Sequence, residues 1–129
     1  MIFLMVEQVI DFHTEIINDL GGAHGIREMG LLISAIEMPK ASMFGEFLHV
    51  SIYEKAAAYL YHIVCNHPFV DGNKRSGLVA ALTFLEVNGV ILEFDENELE
   101  ELVVKVAEGN AEKHVIADFF HKNHPMSKD

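Results

Sequence analysis

Apolar residues recur at helical spacing through most of this chain. Val6, Val9, Ile10, Ile16, Ile17 and Leu20 mark one face of a helix from Val6 to Leu20. Gly21-Gly22 ends it, because glycine accepts the left-handed backbone of a helix C-terminus. Leu31, Leu32, Ala35 and Ile36 define a short helix over Gly30 to Met38, which Pro39 stops. Lys40 to Val50 has no clear period and reads as a loop bending at Gly45. Ser51 followed by Glu54 is a capping box, and the helix it starts runs to Asn66, burying Ile52, Ala56, Tyr59, Leu60 and Ile63. A loop over His67 to Gly72 leads into a helix over Asn73 to Asn88, ended by Gly89. Between Leu78 and Val87 only Thr83 and Glu86 break its apolar character, so it is expected at the centre of the fold.

Val90 to Phe94 is a short, β-branched stretch, a connector or a small ribbon. Asp95 caps the next helix, with Glu98 at the capping-box position and Leu99, Leu102, Val103, Val106 and Ala107 as its buried stripe. Gly109 ends it, Asn110 caps the last helix, and Val115, Ile116, Phe119 and Phe120 are its buried positions. The tail from His124 is expected to fray. The pattern predicts an all-α domain of about six helices with a central buried helix and at most one short β ribbon. A length of 129 residues, half of them hydrophobic, suits a single domain over 1–129 with one core.

The stretch His67-Pro68-Phe69-Val70-Asp71-Gly72-Asn73-Lys74-Arg75 concentrates the chemistry. It lies where a loop meets a helix N-terminus, whose unpaired N–H groups and dipole favour phosphate. His67 is the candidate general base, since imidazole takes a hydroxyl proton near neutral pH. Asp71 is the candidate Mg²⁺ ligand, or a helix cap, or both. Gly72 allows close approach of backbone to phosphate. Asn73 can hold the loop or a phosphate oxygen. Lys74 and Arg75 would neutralise phosphate charge, the main task in phosphoryl transfer. Pro68 stiffens the loop and Phe69 anchors it. Ser76 is expected to face solvent. The parts fit transfer of a phosphate-containing group from a nucleotide.

Charge sharpens that picture. Nine Lys+Arg against 20 Asp+Glu give a net charge of −11, which disfavours broad nucleic-acid binding and anionic membrane surfaces. Cationic side chains are scarce, so two adjacent ones in the motif carry weight. The start, Met1 to Val6, is apolar but lacks a basic leader, and no apolar run reaches spanning length. The expectation is a cytoplasmic protein. Cys65, the single cysteine, is expected to be a small buried hydrophobe. His121 and His124 lie three apart without an evident third ligand, and the acidic run Glu96 to Glu101 reads as a solvated helix face.

The motif resembles the signature of the Fic/Doc superfamily, H-P-F-x-[DE]-G-N-[GK]-R. Gly25-Ile26-Arg27-Glu28 with Gly30-Leu31-Leu32, Glu54 to Leu60, Phe84-Leu85-Glu86 and Val106 to Gly109 are similar to the family's flanking segments. The resemblance runs from about Leu4 to Asn123 and implies a Fic-like helical fold. Lys74 stands where adenylylating members usually carry Gly, and Leu78 where they carry a second Arg. Both point to the Doc (death-on-curing) toxin branch. That branch implies transfer of the terminal phosphate of ATP, with Mg²⁺, to a protein hydroxyl, elongation factor Tu being the known target class. Gly72 agrees instead with the adenylylating pattern, so AMP transfer at the same site is the alternative, and a non-catalytic Fic-fold binding protein is the competitor. Ile33 and Met38 replace an expected Glu and Arg, with no consequence assigned. The family's inhibitory motif, [ST]-x-x-x-E-[GN], ends correctly at Glu108-Gly109 but has Val104 in place of its hydroxyl residue. The resemblance then implies a separate antitoxin chain as the partner.

Overall fold

The computed structural model describes residues 1–125. Among them the chain forms six α-helices: α1 (Val6–Leu20), α2 (Met29–Glu37), α3 (Ile52–Asn66), α4 (Asn73–Val87), α5 (Glu96–Ala107) and α6 (Lys113–Lys122). A 3₁₀ turn, Met38–Lys40, follows α2 and holds Pro39 near its start. A small antiparallel hairpin, β1 (Ser42–Met43) and β2 (Glu46–Phe47), precedes α3. The all-α expectation therefore stands, with one two-stranded ribbon.

The core is built around α3. Ala56, Ala57, Ala58, Tyr59 and Leu60 are consecutive and all fully buried, which requires neighbours on every side of the helix. Those neighbours are α2, α4, α5 and α6. The run of alanines is what lets them approach. On α4, Ala80, Ala81, Phe84 and Leu85 are buried against α3 and α1, while Val87 is 43% exposed and Leu78 lines a surface cleft. The all-round burial expected of α4 belongs more fully to α3. The two helices cross closely at Gly77, where a Cβ would stand 3.0 Å from Val64 Cγ2 and 3.1 Å from the Leu60 carbonyl oxygen.

The capping expectations hold at two helices. Ser51 accepts a hydrogen bond from the Glu54 N–H, and the Asp95 carboxylate accepts from Asn97 and Glu98. The reciprocal Glu54 bond reaches one residue further back, to the Val50 N–H. At α6 the cap is Glu112 rather than Asn110, whose N–H instead closes the α5 turn onto the Lys105 carbonyl. Val90 to Phe94 forms no strand; the ribbon lies in the segment read as a loop, turning through Phe44 and Gly45. Ala107 and Val115 are exposed rather than buried. Cys65 is also exposed, because it sits off the Ala56–Tyr59–Leu60–Ile63 stripe, with the Val106 carbonyl 4.0 Å from its sulfur.

The tail expected to fray lies, beyond Pro125, outside the described residues. His124 itself is bonded to Tyr53 through Nδ1 at 2.6 Å, and His121 stacks on the same tyrosine. No helix among the described residues is long and apolar enough to cross a membrane.

Candidate active site

The loop from His67 to Gly72 joins the two most buried helices, and three parts of the chain fix it. Asn73 clamps it from inside: its Oδ1 accepts the Phe69 N–H and its Nδ2 donates to the Phe69 carbonyl, both at 2.9 Å. Phe69 is completely buried, so these two bonds satisfy backbone groups that water cannot reach. The segment before α2 holds the loop from outside. Arg27 and Glu28 donate their N–H groups to the Pro68 carbonyl, and Val70 donates to the Gly25 carbonyl. From α1, His13 donates through Nε2 to the Asp71 carbonyl at 2.7 Å, because a carbonyl oxygen can only accept.

The loop opens into a cleft of about 560 Å³, a size suited to a small ligand. Its polar wall is His67, Asp71, Gly72, Asn73, Lys74 and Arg75, and its apolar wall is Val64, Val70, Leu78, Val103, Val104 and Ala107. All six candidate site residues thus border one space, with Leu78 forming apolar wall where a second arginine was the alternative.

Each residue occupies a defined place. His67 is exposed, and its imidazole has no hydrogen-bond partner among the described residues. It is therefore not the backbone-bonded loop histidine. Gly72, not Asp71, is the N-cap of α4, in the left-handed region at φ 79°. The Asp71 carboxylate instead accepts the Gly72 N–H through Oδ1 at 2.9 Å and the Ala23 N–H through Oδ2 at 3.2 Å. Each oxygen keeps lone-pair capacity, so the group fits a Mg²⁺ that also binds phosphate and water. Among the described residues no cluster of three His, Cys, Asp or Glu side chains could hold a metal alone. Such an ion would rest on Asp71 and on oxygens that arrive with the nucleotide.

Lys74 and Arg75 lie in the first turn of α4, both exposed. The N–H groups of that turn have no partner within the helix, so the same spot offers dipole, backbone donors and two side-chain cations to an anion. The amide of Asn73 is committed to Phe69 and is 5% exposed, so its side chain holds the loop. Only its backbone would then be left to meet an anion at the helix start. Ser76 is fully buried, with no partner for its hydroxyl among the described residues, and neither faces solvent nor lines the cleft.

A profile of the Fic/DOC family matches residues 3–85, well over half of the chain. The chain belongs to the Fic/DOC family. Two relatives agree. Toxin Doc of Mycolicibacterium smegmatis is 43% identical over 89 residues, covering 67% of this chain and 68% of the relative. Protein kinase doc of Escherichia phage P1 is 35% identical over 112 residues, covering 87% of each.

Within this Fic/DOC fold, sequence reasoning missed three contributors. His13 falls on the Val9–Ile17 stripe of α1, so a polar residue in an apolar row was the available signal. Ala23 acts through its backbone and leaves no signal in its side chain. Glu100, read as part of a solvated face, borders the cleft with Oε1 4.0 Å from Arg75 Nη2. Both side chains are about half exposed, so the pair adds little stability. It does place a carboxylate where a phosphate would compete for the same arginine.

Proposed function

We propose that this chain is a Doc-type toxin that transfers the terminal phosphate of ATP to a hydroxyl of a protein substrate, of the elongation factor Tu class. The observation that carries the reading is the convergence of four features on one cleft. An unpartnered imidazole, a carboxylate, a helix N-terminus and two adjacent cations all face the same space.

His67 takes the proton as the substrate hydroxyl oxygen forms its bond to the γ-phosphorus. The bond from that phosphorus to the bridging oxygen breaks, and ADP leaves with the electron pair. Lys74, Arg75 and the first-turn N–H groups of α4 stabilise charge on the phosphate oxygens during this exchange. Asp71 would hold Mg²⁺, which supplies charge neutralisation on the phosphates. Buried Phe69 and the Asn73 clamp keep these groups in register. Lys74 and Leu78 favour this reading over AMP transfer, since one adds charge at the loop and the other removes a second arginine from the cleft.

A protein-modifying enzyme of this kind needs restraint, and Val104 breaks the in-chain inhibitory pattern. We therefore assign restraint to a separate antitoxin, whose tail folds as a helix when it binds. The test is expression in a bacterial host, with and without the neighbouring gene. Growth arrest that the neighbour relieves, and that His67→Ala abolishes, is the expected result. Normal growth with abundant soluble wild-type protein in a host carrying the target contradicts the toxin reading.

A further inference from the structure

The backbone of His67 lies in the left-handed region, at φ 51° and ψ 53°. A residue with a Cβ is crowded against its own carbonyl there and needs outside contacts to stay. His67 is also the C-terminal cap of α3, where the last carbonyls of a helix lack internal partners. One side chain takes up two of these. Arg27 donates from Nε to the His67 carbonyl at 2.7 Å and from Nη2 to the Asn66 carbonyl at 3.0 Å.

The planar guanidinium presents these donors as a fork, and its charge lies at the negative end of the α3 dipole. Among the described residues no carboxylate stands within ion-pair distance of Arg27, so its hydrogen bonds are given to the two carbonyls. Its own backbone is fixed to the same loop by the Arg27 N–H to Pro68 carbonyl bond at 2.7 Å and by the Ile26–Phe69 bridge. Arg27 thus grips both sides of the turn that presents the imidazole to the cleft, through its guanidinium at Asn66 and His67 and through its backbone at Pro68.

We propose that Arg27 is a positioning residue, whose fork holds His67 in the left-handed conformation that turns its imidazole into the cleft. The claim rests on His67 being the base. It makes Arg27 a determinant of turnover without contact to nucleotide or protein substrate. Arg27 does not line the cleft, which separates its role from those of Lys74 and Arg75. Lysine cannot replace it fully, since a single ammonium is a point donor and cannot reproduce the two-pronged geometry.

The experiment compares wild type, Arg27→Ala and Arg27→Lys by two independent readouts. The first is steady-state phosphate transfer. Arg27→Ala is expected to lower kcat by about 10²-fold, as for a misplacement of order 1 Å, with the KM for ATP within twofold of wild type. Arg27→Lys recovers part of the loss, and guanidinium ion added at millimolar levels recovers part of it in Arg27→Ala. The second readout is the backbone ¹³C chemical shift of His67, which reports the left-handed conformation whether or not any activity exists. It should leave the left-handed range in Arg27→Ala and stay there in wild type. Retention of that shift in Arg27→Ala, or equal rises in KM and falls in kcat without guanidinium rescue, would overturn the proposal. Should Arg27→Ala not fold, Arg27→Lys is read against the same two criteria. A wild-type protein that transfers no phosphate refutes the functional reading, and the chemical shift still decides the role of Arg27.

Discussion

The imidazole of His13 lies flat on the ring of Phe69, with centroids 3.9 Å apart and planes 3° from parallel. The same imidazole donates to the Asp71 carbonyl. One buried side chain thereby ties α1 to both the anchor and the carboxylate residue of the loop. His13→Leu keeps the apolar bulk and removes the donor, leaving a carbonyl unpaired. The expected cost is about 1–3 kcal/mol in urea unfolding, with transfer activity falling more than stability alone explains. His13→Gln, which retains a donor, should lose less of both.

Gly22 is the second point of pressure on Asp71. A Cβ there would lie 2.6 Å from Asp71 Oδ2, and the backbone at φ +112° is strained for any L side chain. Gly22→Ala is expected to push the carboxylate from its Ala23 contact. A titration should show a severalfold rise in the Mg²⁺ needed for half-maximal activity. An unchanged Mg²⁺ dependence would separate Asp71 from metal binding.

Outside the cleft lining, Lys113 Nζ lies 3.0 Å from His49 Nε2 and 2.9 Å from His62 Nε2. An ammonium donates to both, so both rings are neutral acceptors. Burial, and then the Lys113 charge, hold His62 down to about 4 and lower His49 from its ordinary value. Between about pH 4 and 6.5 the unfolded chain therefore binds a His62 proton that the folded chain does not. The stabilisation is complete above about 6.5 and is lost as the pH falls towards 4. Partial exposure limits it to the order of 1–2 kcal/mol. His62→Gln, which still offers Lys113 an acceptor, should show a flatter loss of melting temperature over that window than wild type. Parallel curves would remove His62 as the cause.

Much of the fold is legible because capping signals and helical stripes are local. Gly21 closes α1 and Ser51 opens α3 by backbone and side-chain bonds within a few residues, so their boundaries follow from sequence. Features that depend on distant chain are not legible. Lys55 is fully buried in α3 because the carbonyls of His49 and Val50 accept its ammonium and the Phe47 ring lies 4.3 Å away. Nothing in the helical pattern announces that. The hairpin at Ser42–Phe47 lacks alternation, and the Val90–Phe94 stretch has strand-forming residues but no strand partner. In the site, the residue types of the motif point to the proposed chemistry. The hold of Ala23 on Asp71 depends on where the α1–α2 connection lies in space, and the Asn73 clamp on Phe69 depends on how the loop folds back on α4.

Lys74 is the residue expected to bias which phosphate reacts. Its ammonium stands at the α4 N-terminus, where glycine would leave an open anion site. Lys74→Gly should weaken transfer of the terminal phosphate and expose nucleotidyl transfer, read as a change in product mass. The same product mass at nearly the same rate would make Lys74 a bystander.

The most direct measurement uses purified protein, a bacterial lysate and ATP labelled on either the α or the γ phosphate. Wild type should leave label on protein from γ alone, and His67→Ala should reduce it by a factor of about 10²–10⁴ while remaining folded. Label retained from α, or γ transfer undiminished in His67→Ala, would contradict the account.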